Sequence, residues 1–307
     1  MTGTEAFDTA VIGAGQAGPF LAAKLVAQGR RVALIESRDL GGTCVNRGCT
    51  PTKTLRKSAR VAYMARRAAE FGVRVGPVEV DFAAAMQRMK QRVDESRAGL
   101  QSWLGGLEGL TIIKAHGRLA GRNEAGFVVE ADQRRLAAPK VVLNTGTRPY
   151  LPPIAGLLDN PHLDNEGLLA LRELPRKLVI IGGGYISLEM GQIFRRLGSK
   201  VAIIETGPRL TMREDEDVSQ AVTAMLRAEG IDVFTGLDIQ RVSPGQFAGG
   251  SCVELADGRI IGGSHLLVAT GRVPNTDDLG LDTVGLKPNM RGYIATNERL
   301  ETDVPGI

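Results

Sequence analysis

The chain of 307 residues is long enough for about two domains, each with its own hydrophobic core. The net charge of +4 is small, and the basic residues lie in helical stretches without interleaved aromatic side chains, so we expect no nucleic-acid partner. No apolar run approaches the ~20 residues of a membrane span, and the first residues lack the pattern of a signal peptide. Three cysteines do not make a secreted disulfide scaffold, so a cytoplasmic location is expected.

The N-terminal segment has the pattern of a dinucleotide-binding turn. A buried strand at Thr9–Ile12 leads into a glycine-rich turn, a helix and a second strand that is followed by Glu36. The turn has the Gly-x-Gly-x-x-Gly spacing, carried by Gly13, Gly15 and Gly18. These glycines permit a tight turn, close approach of backbone to a pyrophosphate, and packing of the helix on the strand, in that order. Glu36 is placed to accept hydrogen bonds from a ribose.

A second glycine-rich segment, Gly41–Lys53, is predicted to form a loop around two of the three cysteines, Cys44 and Cys49. In an ideal helix two residues at this spacing are about 7.5 Å apart along the axis, whereas a disulfide favours Cα atoms about 4.4–6.8 Å apart. The backbone must therefore pinch for the two to bond, and Gly48 makes that pinch easy. We predict a redox-active dithiol or disulfide, with two reduced thiols as the alternative.

A helix is predicted to begin just after Cys49. Thr50 is expected to be its N-cap, and Pro51 its first helical residue. A cysteine beside a helix N-terminus is favoured as the thiolate by the helix dipole and by free backbone N–H groups. Arg47 adds positive charge to the same segment.

The dinucleotide pattern occurs a second time. A buried strand at Leu178–Ile181 leads into a turn that contains Gly182 and Gly184, and the following strand ends on Glu205. The first glycine and the acidic residue are 23 residues apart in both segments. Ser187 replaces the third glycine, which a small side chain can do. The internal repeat predicts two dinucleotide sites flanking a cysteine pair, and hence electron transfer between two cofactors and a disulfide.

The remaining pattern predicts two Rossmann-like, doubly wound α/β domains. Proline clusters mark a linker after Pro149, and the strand exits Thr145–Pro149 and Thr270–Asn275 resemble each other. One domain is predicted over 1–150 plus 272–307, and the second, over 151–271, is inserted in it. Further helices are expected at Thr52–Glu70, Asp81–Trp103 and Glu214–Glu229. Further strands are expected at Thr111–Lys114, Phe127–Glu130, Val141–Leu143, Ile231–Phe234 and His265–Ala269, and a hairpin at Cys252–Ile261.

Together these motifs resemble the pyridine nucleotide–disulfide oxidoreductases, the flavoprotein family of dihydrolipoamide dehydrogenase, glutathione reductase and mercuric reductase. The resemblance runs along essentially the whole chain. Its most specific part is Gly-Gly-Thr-Cys-Val-Asn-Arg-Gly-Cys-Thr-Pro-Thr-Lys at Gly41–Lys53, which looks closest to mercuric-reductase-like proteins. Arg47 departs from the aliphatic residue that is usual in the family.

The resemblance implies an FAD site at the first repeat and an NAD site at the second, with NADP as a possibility. It implies that Cys49 contacts the flavin as the charge-transfer thiol and that Cys44 is the interchange thiol that meets the substrate. It also implies that Lys53 lies near flavin N5 with Glu189 as its carboxylate partner, and that Tyr185 covers the flavin until the nicotinamide arrives. Further cofactor contacts are expected from Gly42, Thr43, Lys53, Thr145, Gly146, Gly271 and Arg272.

Glu205 is expected to bind the ribose hydroxyls of NADH and to repel the 2′-phosphate of NADPH. Arg209 lies near enough in sequence to weaken that preference. The expected function is transfer of electrons from NAD(P)H through flavin to Cys44 and Cys49, and on to a small-molecule disulfide or a soft metal ion such as Hg(II). Two alternatives are a catalytically incomplete dinucleotide-binding fragment and a dithiol redox sensor.

The family pattern continues beyond this sequence. It adds an Ala-x-Gly-Asp segment that binds the flavin ribityl chain, and an interface domain for homodimerisation with a His–Glu general base. A homodimer is therefore expected of a full-length member, and the fragment alternative predicts a monomer. The remaining candidates for metal binding match no ligand motif and are expected to be structural, surface or core residues: His116, His162, His265 and Cys252. No resident metal site is predicted.

Overall fold

The computed structural model describes residues 3–307, which divide into two compact units. The first unit combines the N-terminal residues through Cys49 with Val93–Arg148 and Arg272–Ile307. The second combines Thr50–Arg92 with Pro149–Gly271. The predicted domain limits differ from these units because they place residues 50–92 and 149–150 in the first domain. Assignment of a cofactor to each domain stays a prediction.

The first unit is built on a four-stranded parallel sheet. Side chains of its central strands alternate between two apolar clusters, so that Ile12 and Ile35 pack on one face while Val11 and Leu34 pack on the other. Burial on both faces explains the continuous apolar runs in the sequence. The strands, in spatial order, are Leu110–Lys114, Val32–Glu36, Thr9–Ile12 and Lys140–Leu143.

Two smaller sheets complete this unit. One is a four-stranded sheet whose apolar side chains join the same core cluster as Ile12 and Ile35. Its strands, in spatial order, are Glu5–Ala6, Arg134–Ala138, Gly126–Ala131 and Gly117–Asn123. The two segments predicted as similar strand exits, Thr147–Pro149 and Arg272–Pro274, pair with each other in a two-stranded sheet. Among the strands of these two sheets, only Gly126–Ala131 corresponds to a strand predicted from the sequence, at Phe127–Glu130.

The second unit repeats the first sheet. Its parallel strands, in spatial order, are Ile231–Thr235, Lys200–Glu205, Lys177–Ile181 and His265–Val268. A three-stranded antiparallel sheet of Ile239–Pro244, Ser251–Leu255 and Ile260–Gly263 packs beside it. The hairpin predicted at Cys252–Ile261 is present. The two parallel sheets confirm the predicted α/β class and the internal repeat.

Seven α-helices lie among the described residues: α1 Gly18–Val26, α2 Gly42–Arg47, α3 Cys49–Arg66, α4 Phe82–Gly105, α5 Asn165–Leu169, α6 Tyr185–Leu197 and α7 Glu216–Ala228. Short 3₁₀ turns occupy Ala68–Phe71 and Leu281–Val284. None of the helices within residues 3–307 is long and apolar enough to cross a membrane.

Two expectations about the cysteine segment are wrong. It was expected to be a loop, but residues 42–47 form the helix α2, and only Gly48 separates it from α3. Thr50 is not an N-cap, because α3 already begins at Cys49 and the Thr50 carbonyl accepts a hydrogen bond from Thr54 Oγ1 at 2.8 Å. The segment is therefore two short-linked helices rather than an irregular loop.

Candidate functional site

The first glycine turn has a backbone that only glycine tolerates. Gly13 has φ +103°, and a Cβ atom there would stand 2.2 Å from the carbonyl oxygen of Asn144. Asn144 is in turn fixed to the strand end, because its backbone N–H donates to the Ile12 carbonyl at 2.8 Å. The Ala14 N–H donates to a carboxylate oxygen of Glu36 at 2.7 Å. The turn and the acid thus meet at the carboxyl ends of the parallel strands.

The second turn repeats this geometry residue by residue. Gly182 has φ +110°, and a Cβ there would lie 2.5 Å from the carbonyl oxygen of Ala269. The Ala269 N–H donates to the Ile181 carbonyl at 2.9 Å. The Gly183 N–H donates to the Glu205 carboxylate, just as Ala14 does to Glu36. Gly184 follows in extended backbone as the N-cap of α6.

Both turns fit a dinucleotide. Ligands of open α/β sheets bind outside the carboxyl ends of the strands, where a glycine-rich turn lets a pyrophosphate approach backbone and a helix N-terminus. Each acid is half-buried at such an edge and holds the turn through backbone N–H groups. The structure thus places the predicted glycines and acids of each repeat together.

Cys44 and Cys49 form a disulfide, with their Cα atoms 4.6 Å apart, which confirms that the two are paired. Cys44 lies inside α2 and is half-buried, whereas Cys49 is the first residue of α3 and is exposed. Gly48 makes the pinch between them, at φ −140° and ψ −107°. A Cβ on Gly48 would stand 3.0 Å from the Thr43 carbonyl oxygen, so the turn has little room for a side chain.

The disulfide segment packs directly on the first glycine turn. The Gly41 N–H donates to the Ala14 carbonyl at 2.8 Å. Gly42 has φ +56°, and a Cβ there would lie 2.7 Å from the Cα atom of Gly15. Gln16 Nε2 donates to the Gly41 carbonyl at 3.2 Å. The predicted flavin turn and the disulfide therefore belong to one contiguous site in the first unit.

Asn144 is a site residue that the sequence analysis did not single out. Its side-chain Nδ2 donates to the Gly13 carbonyl at 3.1 Å, and it lies 3.0 Å from the Cβ position of Gly18. The available signal was its place directly after the strand Lys140–Leu143, at the sheet edge where the first turn also lies. Asn144 thus ties two strand ends together beneath the turn.

The strand exits give a second group of predicted cofactor residues. Asn275 Nδ2 donates to the Thr145 carbonyl at 2.9 Å, and Gly146 adopts φ +66°. Arg272 donates from Nε and Nη2 to the Oγ1 and carbonyl oxygen of Thr147, at 2.7 and 2.6 Å. The structure thus brings Thr145, Gly146 and Arg272 onto one paired segment. Gly271, in the second unit, has φ +157°.

In the second unit, α3 and α6 are joined by an ion pair. Lys53 Nζ, on the first turns of α3, contacts the Glu189 carboxylate on α6. Both side chains remain partly exposed, at 55% and 39%. The pairing of these two residues agrees with the resemblance, and their roles toward a flavin stay predictions.

Tyr185 begins α6 and is exposed at 59%. Its hydroxyl donates to the Glu214 carboxylate. This hydrogen bond raises the pKa of Tyr185 above its ordinary value, because ionisation would remove the donor beside an acceptor. Tyr185 is therefore held by a residue that the sequence analysis did not identify.

Three buried polar atoms near the second turn have no hydrogen-bond partner among residues 3–307: Ser187 Oγ, Thr211 Oγ1 and Arg209 Nε. Thr211 lies in the left-handed region at φ +48°, which is rare for a β-branched residue. Its N–H donates to the Gly183 carbonyl at 2.9 Å. Strain and unpaired polar atoms are typical of ligand sites, so this cluster fits a polar ligand such as a dinucleotide.

The histidines and the third cysteine lie apart from these sites. His116 pairs with exposed Asp278, His162 contacts the Asn160 carbonyl, and His265 contacts Ser264. Burial lowers the pKa of His265. Cys252 is a buried free thiol, as predicted. No group of histidine, cysteine and acidic residues within the described part of the chain has the arrangement of a metal site.

Comparison with known proteins shows the relationship directly. The family model described as pyridine nucleotide-disulphide oxidoreductase matches residues 7–307. A dihydrolipoyl dehydrogenase of Cupriavidus necator is 34% identical over 98% of this chain and 66% of its own length. A mercuric reductase of Acidithiobacillus ferrooxidans is 35% identical over 97% of this chain and 54% of its own.

Solved structures agree with these sequence comparisons. The HOCl-induced flavoprotein disulfide reductase RclA of Escherichia coli superposes with a TM-score of 0.85 at 32% identity, covering 98% of this chain and 64% of RclA. RclA has also been solved as a Cu(II) complex, with a TM-score of 0.85. The chain thus spans between about half and two-thirds of the length of the relatives that it matches.

Proposed function

Because the chain belongs to the pyridine nucleotide-disulphide oxidoreductase family, a family of FAD-binding, NAD(P)-dependent enzymes, we propose that it passes electrons from NAD(P)H through FAD to the Cys44–Cys49 disulfide. The reduced pair then passes them to a disulfide or a soft metal ion. The observation that carries this proposal is the packing of the disulfide segment on the first glycine turn, with Gly42 against Gly15.

The residues of the first unit fit FAD. Gly13 and Gly15 leave the backbone open to a pyrophosphate, and Glu36 is placed for a ribose. The Cys44–Cys49 pair adjoins this turn, so a bound dinucleotide and the disulfide share one site. When bound, FAD supplies two-electron chemistry that connects a nicotinamide hydride donor to a disulfide.

The residues of the second unit fit a nicotinamide dinucleotide. Gly182 and Gly184 form its turn, and the unpaired polar atoms of Ser187 and Thr211 lie beside it. Glu205 at the strand end favours NADH, because a carboxylate binds ribose hydroxyls and repels a 2′-phosphate. NADPH use is the second outcome to test.

Reduction of the disulfide takes two electrons and yields two thiols, with protons from solvent. Cys49 begins α3, where free backbone N–H groups and the helix dipole stabilise a thiolate. In the proposed cycle, the Cys44 thiolate attacks an acceptor disulfide, breaks its S–S bond and forms a mixed disulfide, and one acceptor thiolate leaves. Cys49 then displaces the acceptor thiol and restores the Cys44–Cys49 bond.

The same two thiolates can bind a soft metal ion, because soft ions prefer thiolate ligands. With Hg(II) as acceptor, the two electrons of the reduced pair convert Hg(II) to Hg(0) and the Cys44–Cys49 disulfide re-forms. The mercuric reductase among the relatives supports this class of acceptor alongside disulfides. The two classes are separated by supplying each as the only acceptor.

Steady-state turnover tests the proposal. FAD-loaded protein is given NADH with a chromogenic aryl disulfide, or with Hg(II) in excess thiol. We expect Cys44→Ser and Cys49→Ser each to abolish turnover with both acceptors, while the buried Cys252→Ser control keeps it. Full turnover by Cys44→Ser, with the control also active, would overturn the proposal.

A further inference from the structure

Arg47 lies in α2, between Cys44 and Cys49 in the sequence, and forms an ion pair. Its Nη2 donates to Asp39 Oδ2 at 2.8 Å. The guanidinium side chain is only 14% exposed, and Asp39 is 33% exposed. Partial burial makes such a pair stronger than a surface ion pair, because solvent screens it less. The pair ties the C-terminal end of α2 to the chain before α2.

A second arginine reaches the same place from α4. Arg97 Nε donates to Asn46 Oδ1 at 3.0 Å and lies 3.8 Å from Asp39 Oδ1. Asn46 Nδ2 donates to the carbonyl oxygens of Leu40 and Gly42, both at 2.9 Å. The four side chains Asp39, Asn46, Arg47 and Arg97 are called the α2 clamp below. All four belong to the first unit.

The position of the α2 clamp relates it to the reduced state of the cysteine pair. In the oxidised protein the disulfide itself fixes α2 relative to the start of α3. Once the disulfide opens, α2 and α3 are connected directly only through the backbone of Gly48, a residue with wide conformational freedom. Contacts that hold α2 without the disulfide therefore bear on the reduced state.

We propose that the α2 clamp is a positioning device that holds Cys44 within bonding reach of Cys49 while the pair is reduced. By ordering α2 in advance, the clamp lowers the entropy lost when the disulfide re-forms, and so raises the effective concentration of one thiol at the other. The inference rests on the proposed function, since a clamp for the reduced state serves a pair that cycles.

A direct charge effect makes the opposite prediction for one of two substitutions. If Arg47 acted mainly by stabilising a thiolate, its removal would favour the disulfide, whereas removal of the Asp39 charge would favour the dithiol. The clamp predicts that both substitutions favour the dithiol. The sign of the effect of Arg47→Leu therefore separates the clamp from a charge effect.

The test is the equilibrium with glutathione, in which the protein disulfide and two glutathione thiols exchange with the protein dithiol and glutathione disulfide. The ratio of protein disulfide to protein dithiol is measured by acid quenching, alkylation and mass spectrometry, at known concentrations of glutathione and glutathione disulfide. We expect Arg47→Leu and Asp39→Ala each to lower the effective concentration about tenfold, as for loss of one charge-assisted hydrogen bond. Arg47→Lys, which keeps the positive charge and can still donate a hydrogen bond to Asp39, should recover much of that loss.

The matched control is Arg134→Leu, which removes a two-fold hydrogen-bonded ion pair with Glu5 elsewhere in the same unit. It should leave the equilibrium unchanged. An unchanged or raised effective concentration in Arg47→Leu would overturn the clamp. If that variant does not fold, an unchanged or raised value in Asp39→Ala would overturn it. Arg47→Lys then separates the two explanations, because a pure charge effect predicts no change and the clamp predicts a partial loss. No nicotinamide is present in this assay, so failure of NADH-driven turnover would not affect its outcome.

Discussion

At the scale of single residues, Tyr185 gives a pH-dependent prediction. Its hydrogen bond to Glu214 raises the pKa of Tyr185 above the ordinary 10.0. The bond thus contributes stability fully below that ordinary value and loses it as the pH rises through the raised pKa. We expect Glu214→Gln to lower the pKa of Tyr185 toward its ordinary value.

The measurement is the ultraviolet titration of phenolate absorbance. Tyr185 is isolated from the other three tyrosines by subtracting the titration of a Tyr185→Phe variant in each background. A Tyr185 titration that is the same with and without Glu214→Gln would show that this hydrogen bond does not control the hydroxyl.

Lys53 gives a prediction in which stability and rate separate. Its ion pair with Glu189 is largely solvated, so it adds at most about 0.5 kcal/mol to the free energy of unfolding. If the Lys53 cation acts on the flavin, Lys53→Met should slow flavin reduction by NADH at least about tenfold. Urea unfolding and stopped-flow absorbance provide the two measurements.

Lys57→Met is the matched control, because Lys57 is an exposed lysine one turn further along α3. It should change neither quantity. Equal rates for the two variants would exclude a role of Lys53 in flavin reduction.

At the scale of elements, the contact between the cysteine segment and the first glycine turn can be tested at Gly42. Alanine there would need φ +56° and would place Cβ 2.7 Å from Gly15 Cα. Gly29 has φ +78° with nothing within 4 Å of a Cβ, so Gly29→Ala imposes backbone strain without the contact.

We expect Gly29→Ala to cost about 1–2 kcal/mol in the free energy of unfolding, and Gly42→Ala to cost roughly 1–3 kcal/mol more. Gly42→Ala should also release FAD during gel filtration, whereas Gly29→Ala should retain it. Equal stability and equal FAD content in the two variants would contradict the close packing of α2 on this turn.

The sequence predicted those elements whose signals are local. Both strand–turn–helix–strand repeats were found, because buried apolar runs, glycine spacing and a terminal acid lie within one short segment. Strands at Gly117–Asn123 and Arg134–Ala138 were missed, since they carry several arginines and are defined by pairing with distant partners. Helix α2 was missed because Gly41, Gly42 and Gly48, which lie at its two ends, favour a loop in the sequence.

The same division holds for the site. The cysteine pair and both glycine turns were identified from local sequence patterns. Asn144 and Glu214 were not, because their contacts with Gly13 and Tyr185 join residues 131 and 29 positions apart. Arg47 was identified as a positive charge and as a departure from the family pattern, but its ion pair with Asp39 is visible only in the fold.

At the scale of the whole molecule, the two repeats predict separable losses of cofactor. Gly13 and Gly182 occupy equivalent positions, and a Cβ on either would collide with a carbonyl oxygen of the neighbouring strand exit. We expect Gly13→Ala to abolish retention of FAD. Gly182→Ala should retain FAD but weaken NADH binding at least about tenfold, measured by fluorescence titration. Loss of the same cofactor in both variants would contradict the assignment of one cofactor to each repeat.

The most direct test of the central claim is an anaerobic reduction of the FAD-loaded chain by one equivalent of NADH, followed by rapid alkylation and peptide mass spectrometry. We expect NADH to be consumed while Cys44 and Cys49 both become labelled, and Cys252 to be labelled only after unfolding. Consumption of NADH with the Cys44–Cys49 disulfide intact would show that electrons reach the flavin and stop there, which contradicts the proposed route.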